Sequence, residues 1–163
     1  NKVPVQTYVY DIFQENLYEG YADKGAYKNF KKLQVTKDTS FQKAIIATGF
    51  PYDRLEFGEQ YIQTFLSILK TTGGVRRFGS AALDVCWVAD NKFDGYFEYF
   101  MKPWDILGAS LILKEAGGVV VDEHESFPTV SSNLLIASNQ SIHEDFKSLV
   151  LANIDPDLKE RFS

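Results

Sequence analysis

Apolar and polar positions change rhythm several times along the chain, and each change predicts an element. VPVQTYVYDIF (residues 3–13) and NLYEGYA (16–22) are β-branched and aromatic runs divided by the polar stretch around QEN, as in a β-hairpin. DKG and YKNFKKL continue as a turn and a short strand. KAIIATGF reads as a buried strand closed by Gly49 and Pro51. From about Arg54 to Thr72, Phe57, Tyr61, Phe65 and Leu69 recur at three- to four-residue steps. They predict one apolar stripe of an amphipathic helix that stops at Gly73 and Gly74.

GVRRF is a further short strand. It runs into GSAALDVCWVADNK, where Ser80 caps a helix and the small Ala81 and Ala82 let that helix lie close to a neighbour. DGYFEYFM alternates as a strand, with Tyr96, Glu98 and Phe100 on one face and Phe97 and Tyr99 on the other. A very apolar helix is predicted from Asp105 to about Ala116, ending at Gly117. GVVVD and NLLIAS are strands, and Ser141 with Glu144 has the spacing of a capping box opening a last helix. Strands and helices alternate from residue 43 onward, which favours a layered α/β arrangement.

Composition narrows the function. Apolar residues at 45% and aromatics at 15% belong to a packed globular chain rather than a disordered one. A net charge of -5 lacks the basic stripe of a sequence-independent nucleic-acid binder, so no nucleic-acid partner is expected. Lys24, Lys28, Lys31, Lys32 and Lys37 cluster among acidic residues and read as a solvated hairpin. The single Cys86 excludes an internal disulfide and reads as core filler in a reducing compartment. No apolar run reaches the ~18 residues of a membrane span and no signal peptide is recognised, so a cytoplasmic protein without a membrane partner is expected. The chain starts at Asn1 and enters strand-like sequence at once, as a fragment of a longer protein would.

Three features carry chemistry. Asp105 stands at the mouth of the most apolar helix, where unpaired N–H groups and the helix dipole favour negative charge. An N-cap worth about 1 kcal/mol is the simplest account. Yet Ile106, Leu107, Ala109, Leu111, Ile112 and Leu113 make that helix apolar nearly all round. Such a helix is buried on most sides, its start faces a cleft or another layer, and a carboxylate held there is paired or metal-bound. Glu98 is a lone acid on an aromatic strand, either exposed on a sheet edge or brought to the same edge as Asp105. Gly79 and Ser80 occupy a strand-to-helix turn, where backbone N–H groups can meet an anion or polar ligand. The acids of DEHE (122–125) read as an exposed loop, although His124 could ligate a metal.

Taken together, VRRFGSAALDVCWVADNKFDGYFEYFMKPWDILGASLILKEAGGVVVD resembles the C-terminal half of the inositol monophosphatase family. The family shows a G-[ST]-A-A turn, a strand ending in an acid, then W-D-x-x-[AG] and E-A-G-G, here over about 48 contiguous residues. LYEGYADKGAYKNFKKLQV also resembles the family hairpin, with Phe30 where glycine is usual. The resemblance implies an α/β fold: a layered α-β-α-β-α sandwich of the sugar-phosphatase type, here its C-terminal portion, with a mixed sheet flanked by helices. Residues 1–40 would supply closing strands of a first antiparallel sheet domain and residues 41–163 a second α/β domain. It implies that Asp105 ligates Mg²⁺, that Glu98 binds substrate hydroxyls, and that Gly79, Ser80 and Ala81 line a polyol pocket. Arg76 or Arg77 would lie near that pocket or at a subunit contact, and Trp104 would pack behind Asp105. The small residues Gly108, Ala109 and Ser110 would let backbone approach the site.

The activity so implied is a Mg²⁺-dependent phosphomonoesterase acting on a small-molecule phosphate monoester, myo-inositol 1-phosphate by default, in a homodimer. Relatives cleaving fructose 1,6-bisphosphate, 3′-phosphoadenosine phosphates or NADP remain alternatives. The family's upstream glutamate motif and its D-P-x-D-G-T stretch have no counterpart among these residues. The chain by itself is therefore expected to be inactive, leaving a second reading as a non-catalytic, partner-binding module whose aromatic sheet edge is open to pairing.

Overall fold

The computed structural model describes residues 4–36, 38–52 and 54–154. Lys37 of the lysine cluster and the side chain of Phe57 lie outside the described positions. Two sheets fall on either side of residue 40. The first is an antiparallel meander of β1 (Gln6–Asp11), β2 (Asn16–Tyr21), β3 (Gly25–Lys28) and β4 (Lys31–Lys32), in that order. Tyr8 faces Glu19 and Tyr18 faces Lys28 in its register. The β3–β4 turn places both Asn29 and Phe30 at positive φ, 47° and 65°. Consecutive left-handed residues match the twist of a two-residue hairpin. Phenylalanine thus takes a conformation usually left to glycine, and its ring is fully in solvent.

The second sheet is mixed, in the order β6 (Gly74–Arg76), β5 (Ile45–Thr48), β7 (Gly95–Tyr99), β9 (Leu134–Ser138), β8 (Val119–Val121). β6, β5 and β7 run parallel, whereas β9 is antiparallel to both of its neighbours. Helix α1 (Arg54–Thr71) links β5 to β6, and α2 (Ala81–Ala89) links β6 to β7. The two crossovers step in opposite directions across the sheet. Since such connections are right-handed, the helices land on opposite faces.

Four layers result. α2 and α3 (Pro103–Glu115) lie between the two sheets, in one core with Tyr18 and Ala26 of the first and Tyr96, Leu135 and Ala137 of the second. α1 and α4 (His143–Ala152) cover the other face of the second sheet, around Tyr61, Phe97, Tyr99 and Phe146. With helices on both sides, every residue of β7 is buried. Among the described residues, no helix is long and apolar enough to cross a membrane.

Several expectations shift. Leu69 is 45% exposed and Ile68 takes its place in the core, with Tyr61 and Thr64. Strict four-residue steps drift about 40° each around a helix with 3.6 residues per turn, so the buried row breaks step. Ser141 does not cap α4. Its hydroxyl donates to Asn139, which also accepts the backbone N–H of Ile142 and so supplies the turn before the helix. Gly108 does not serve the site. A Cβ there would lie 2.5 Å from Oγ1 of Thr7, so its smallness lets α3 approach the first sheet. In DEHE, His124 is exposed but Asp122 is buried, accepting from Ser132 Oγ and two backbone amides of its own turn.

Candidate active site

The reversal between β6 and β7 about β5 creates a gap beyond the carboxyl ends of three parallel strands, the usual place for a ligand in an open α/β sheet. A cavity of about 280 Å³ occupies it. Its walls are the segments that leave those strands: Gly49, Phe50 and Tyr52 after β5, Arg77 to Asp84 after β6, and Glu98, Trp104 and Asp105 from β7 onward. All five residues singled out from the sequence, Gly79, Ser80, Ala81, Glu98 and Asp105, line this single cleft. Of the two arginines left open above, Arg77 borders it and Arg76 does not.

The turn after β6 is built for close approach. Gly79 has φ of 96°, a left-handed conformation that glycine adopts without strain. Ser80 then caps α2, its hydroxyl accepting from the Leu83 amide at 3.5 Å. The guanidinium of Arg77 lies 5.4 Å from the ring centroid of Phe50, close enough for a cation–π contact across the mouth.

Glu98 sits on the central strand, which settles the choice between edge and interior. Its carboxylate takes a short hydrogen bond from the Tyr96 hydroxyl. It also presses against Gly49, where a Cβ would overlap it, so the glycine ending β5 is a steric requirement of the acid. Burial pushes Glu98 up to about 7; the Tyr96 hydrogen bond and Arg77 oppose the rise, and Asp105 adds to it.

Asp105 is the third residue of α3, one turn in from Lys102. Its Oδ2 accepts the Lys102 backbone amide at 3.4 Å and the Tyr52 hydroxyl at 3.2 Å. The acid therefore does stabilise the helix start, while its half-buried carboxylate also borders the cleft. Trp104 does not pack behind it. The indole is 78% exposed and stands at the rim.

Asp84 was missed in the sequence, where it is enclosed by the apolar AALDVCWVA. It is 1% exposed, it borders the cleft, and neither carboxylate oxygen has a hydrogen-bond partner. Burial, and then the charge of Glu98, raise it to about 7, with Arg77 working the other way. The only sequence signal was an acid in the first turn of an otherwise apolar helix.

Among the described residues, no three His, Cys, Asp or Glu side chains converge as a metal cage. Asp105 fits as one carboxylate of a shared site, since Mg²⁺ is commonly held by one or two carboxylates together with water and substrate phosphate.

Comparison with known proteins identifies the chain's family. A profile of the inositol monophosphatase family matches residues 1–155, and the chain belongs to that family. It is 34% identical over 150 residues to an inositol-1-monophosphatase of Synechocystis sp., covering 92% of this chain and 52% of that protein. It is 38% identical over 141 residues to a fructose-1,6-bisphosphatase/inositol-1-monophosphatase of Aquifex aeolicus, covering 86% of this chain and 52% of that protein. A protein of Neisseria meningitidis described as a putative Nus factor SuhB is 33% identical over 146 residues, 90% of this chain and 56% of the relative. The solved inositol monophosphatase of Anabaena (Nostoc) sp. PCC 7120 superposes with a TM-score of 0.86 at 35% identity, over 92% of this chain and 60% of that one. The chain thus spans about half the length of the curated relatives it matches.

Proposed function

We propose that the protein of which these residues form a part is a Mg²⁺-dependent phosphomonoesterase acting on a polyol or sugar phosphate, with myo-inositol 1-phosphate as the first substrate to test. One observation carries the reading: Glu98, Asp105 and the Gly79–Ser80–Ala81 turn line a single small cleft at the strand ends. In this reading Asp105 is the metal carboxylate from this half of the site. Glu98 accepts hydrogen bonds from substrate hydroxyls, and the glycine-led turn lets the polyol lie against backbone. Arg77 at the mouth supplies positive charge toward the phosphate. The bound cation would neutralise phosphoryl charge and lower the pKa of an attacking water. The remaining ligands would come from outside the described residues, and the assembly would be a homodimer.

The test is Asp105→Asn in the full-length protein, assayed with Mg²⁺ and myo-inositol 1-phosphate. A fall in kcat/KM of at least about 100-fold is expected for a lost metal ligand, with folding lowered by no more than the ~1 kcal/mol of the helix-start contact. Wild-type turnover in the variant would refute the assignment.

The exposed aromatic surface of β1, with Tyr8 54% and Tyr10 55% exposed, favours a second reading as a partner-binding module. The Nus factor description of the Neisseria relative is compatible with it. Full-length protein that binds a partner yet hydrolyses no phosphate monoester would select this alternative.

A further inference from the structure

Asp84 has no hydrogen-bond partner to offset its burial. Ser80 already caps α2, and the backbone N–H of Asp84 is satisfied by the Ser80 carbonyl at 2.8 Å. The residues that follow, Val85, Cys86, Val88 and Ala89, are fully buried and apolar, so the acid belongs to no polar network in the helix. An unpartnered buried carboxyl costs several kcal/mol, and native structures rarely keep one without a use. No ion pair joins it to Arg77 among the described residues, nor does it belong to a cluster able to hold a metal. What it does border is the cleft, in company with Glu98.

We propose that Asp84 is a specificity-determining residue: with Glu98 it reads ligand hydroxyls, so the cleft selects phosphate esters that carry at least two free hydroxyl groups. The inference rests on the reading of this cleft as a polyol-phosphate site and adds a residue to it. Hydroxyls suit the position for a chemical reason. Burial holds Asp84 near neutrality between its charged and uncharged forms. A hydroxyl both donates and accepts, so it satisfies the carboxyl in either form, whereas an ammonium needs the charged form and a phosphate is repelled by it. Two acids on different elements, α2 and β7, can discriminate a polyol from a simple alcohol phosphate that would leave one of them unpaired. Leaving a buried polar group unpaired is the strongest means by which a pocket rejects a deoxy ligand.

The experiment uses full-length protein, myo-inositol 1-phosphate and its single-deoxy analogues, with binding measured by calorimetry alongside kcat and KM. Asp84→Leu should weaken binding of the parent compound by about tenfold or more, with kcat/KM for that compound falling at least as far. For one deoxy analogue wild type and variant should bind alike, while the others still discriminate. Asp84→Asn, nearly isosteric, guards against misfolding and should give a smaller loss with the same analogue pattern. Identical analogue-to-parent ratios in wild type and both variants would overturn the role of Asp84 and leave the phosphatase reading intact. If wild type neither binds nor hydrolyses any of these esters, the phosphatase reading fails first and the inference falls with it.

Discussion

The two faces of the second sheet treat buried polar groups in opposite ways. On the α1–α4 face, Thr48 Oγ1 meets the Tyr61 hydroxyl at 2.9 Å and donates to the Phe97 carbonyl at 2.8 Å. Thr64 meets the Tyr99 hydroxyl at 2.8 Å, and Tyr61 stacks on Phe97 with ring centroids 5.7 Å apart. On the α2–α3 face, at the strand ends, two acids are buried: Glu98 holds a single tyrosine and Asp84 holds nothing. The first face is organised for stability, with each polar atom named here paired within an aromatic cluster. The second leaves Asp84 unpartnered where it borders the cleft.

Substitutions can break this contrast, beginning with the most severe. Tyr61→Ala removes a ring that is 1% exposed and should cost about 3–5 kcal/mol in denaturant unfolding, with the Thr48–Tyr61 hydrogen bond lost as well. Asp84→Asn should act in the opposite direction, and only above acid pH. Asp84 titrates near its ordinary 3.8 when unfolded and at about 7 when folded. The folded state therefore keeps a proton that the unfolded state has released, so stability falls as pH rises from about 4 to 7 and stays low beyond. One pH unit is worth about 1.4 kcal/mol, so the asparagine protein should gain at most about 4 kcal/mol at pH 8 and nothing at pH 3. Melting curves across that range provide the measurement, and equal stabilisation at both pH values would contradict an ionising origin. Thr48→Val leaves the Tyr61 hydroxyl without this partner and should cost about 1–2 kcal/mol by the same unfolding assay. Trp104→Ala, at the exposed rim, should alter stability by no more than about 0.5 kcal/mol.

Local pattern carried much of the fold. The first hairpin, Ser80 as the cap of α2, the burial of α3 and the strands at Ile45–Thr48 and Leu134–Ser138 all follow from rhythms within ten or so residues. Sheet order does not. Glu98 could be read as an edge residue because nothing near it in sequence says that β5 and β9 flank its strand. Ile68 and Leu69 are adjacent aliphatic residues, and which of them is buried depends on how α1 is turned toward the elements it packs against. The cleft was legible through motif resemblance at Gly79 to Ala81, Glu98 and Asp105, since those residues sit in spaced, recognisable company. Asp84 was hidden because an acid inside an apolar run looks like the polar side of a helix until the tertiary packing shows that the helix has none there.

The rim of the cleft, unlike Glu98 on β7, lies outside the strands, and none of the sheet's ladder bonds runs through it. Phe50, Tyr52, Arg77 and Trp104 can therefore be exchanged with little effect on the β scaffold beneath them. The rim is thus open to re-cutting for another ligand while the skeleton, and the acids it buries, stay in place.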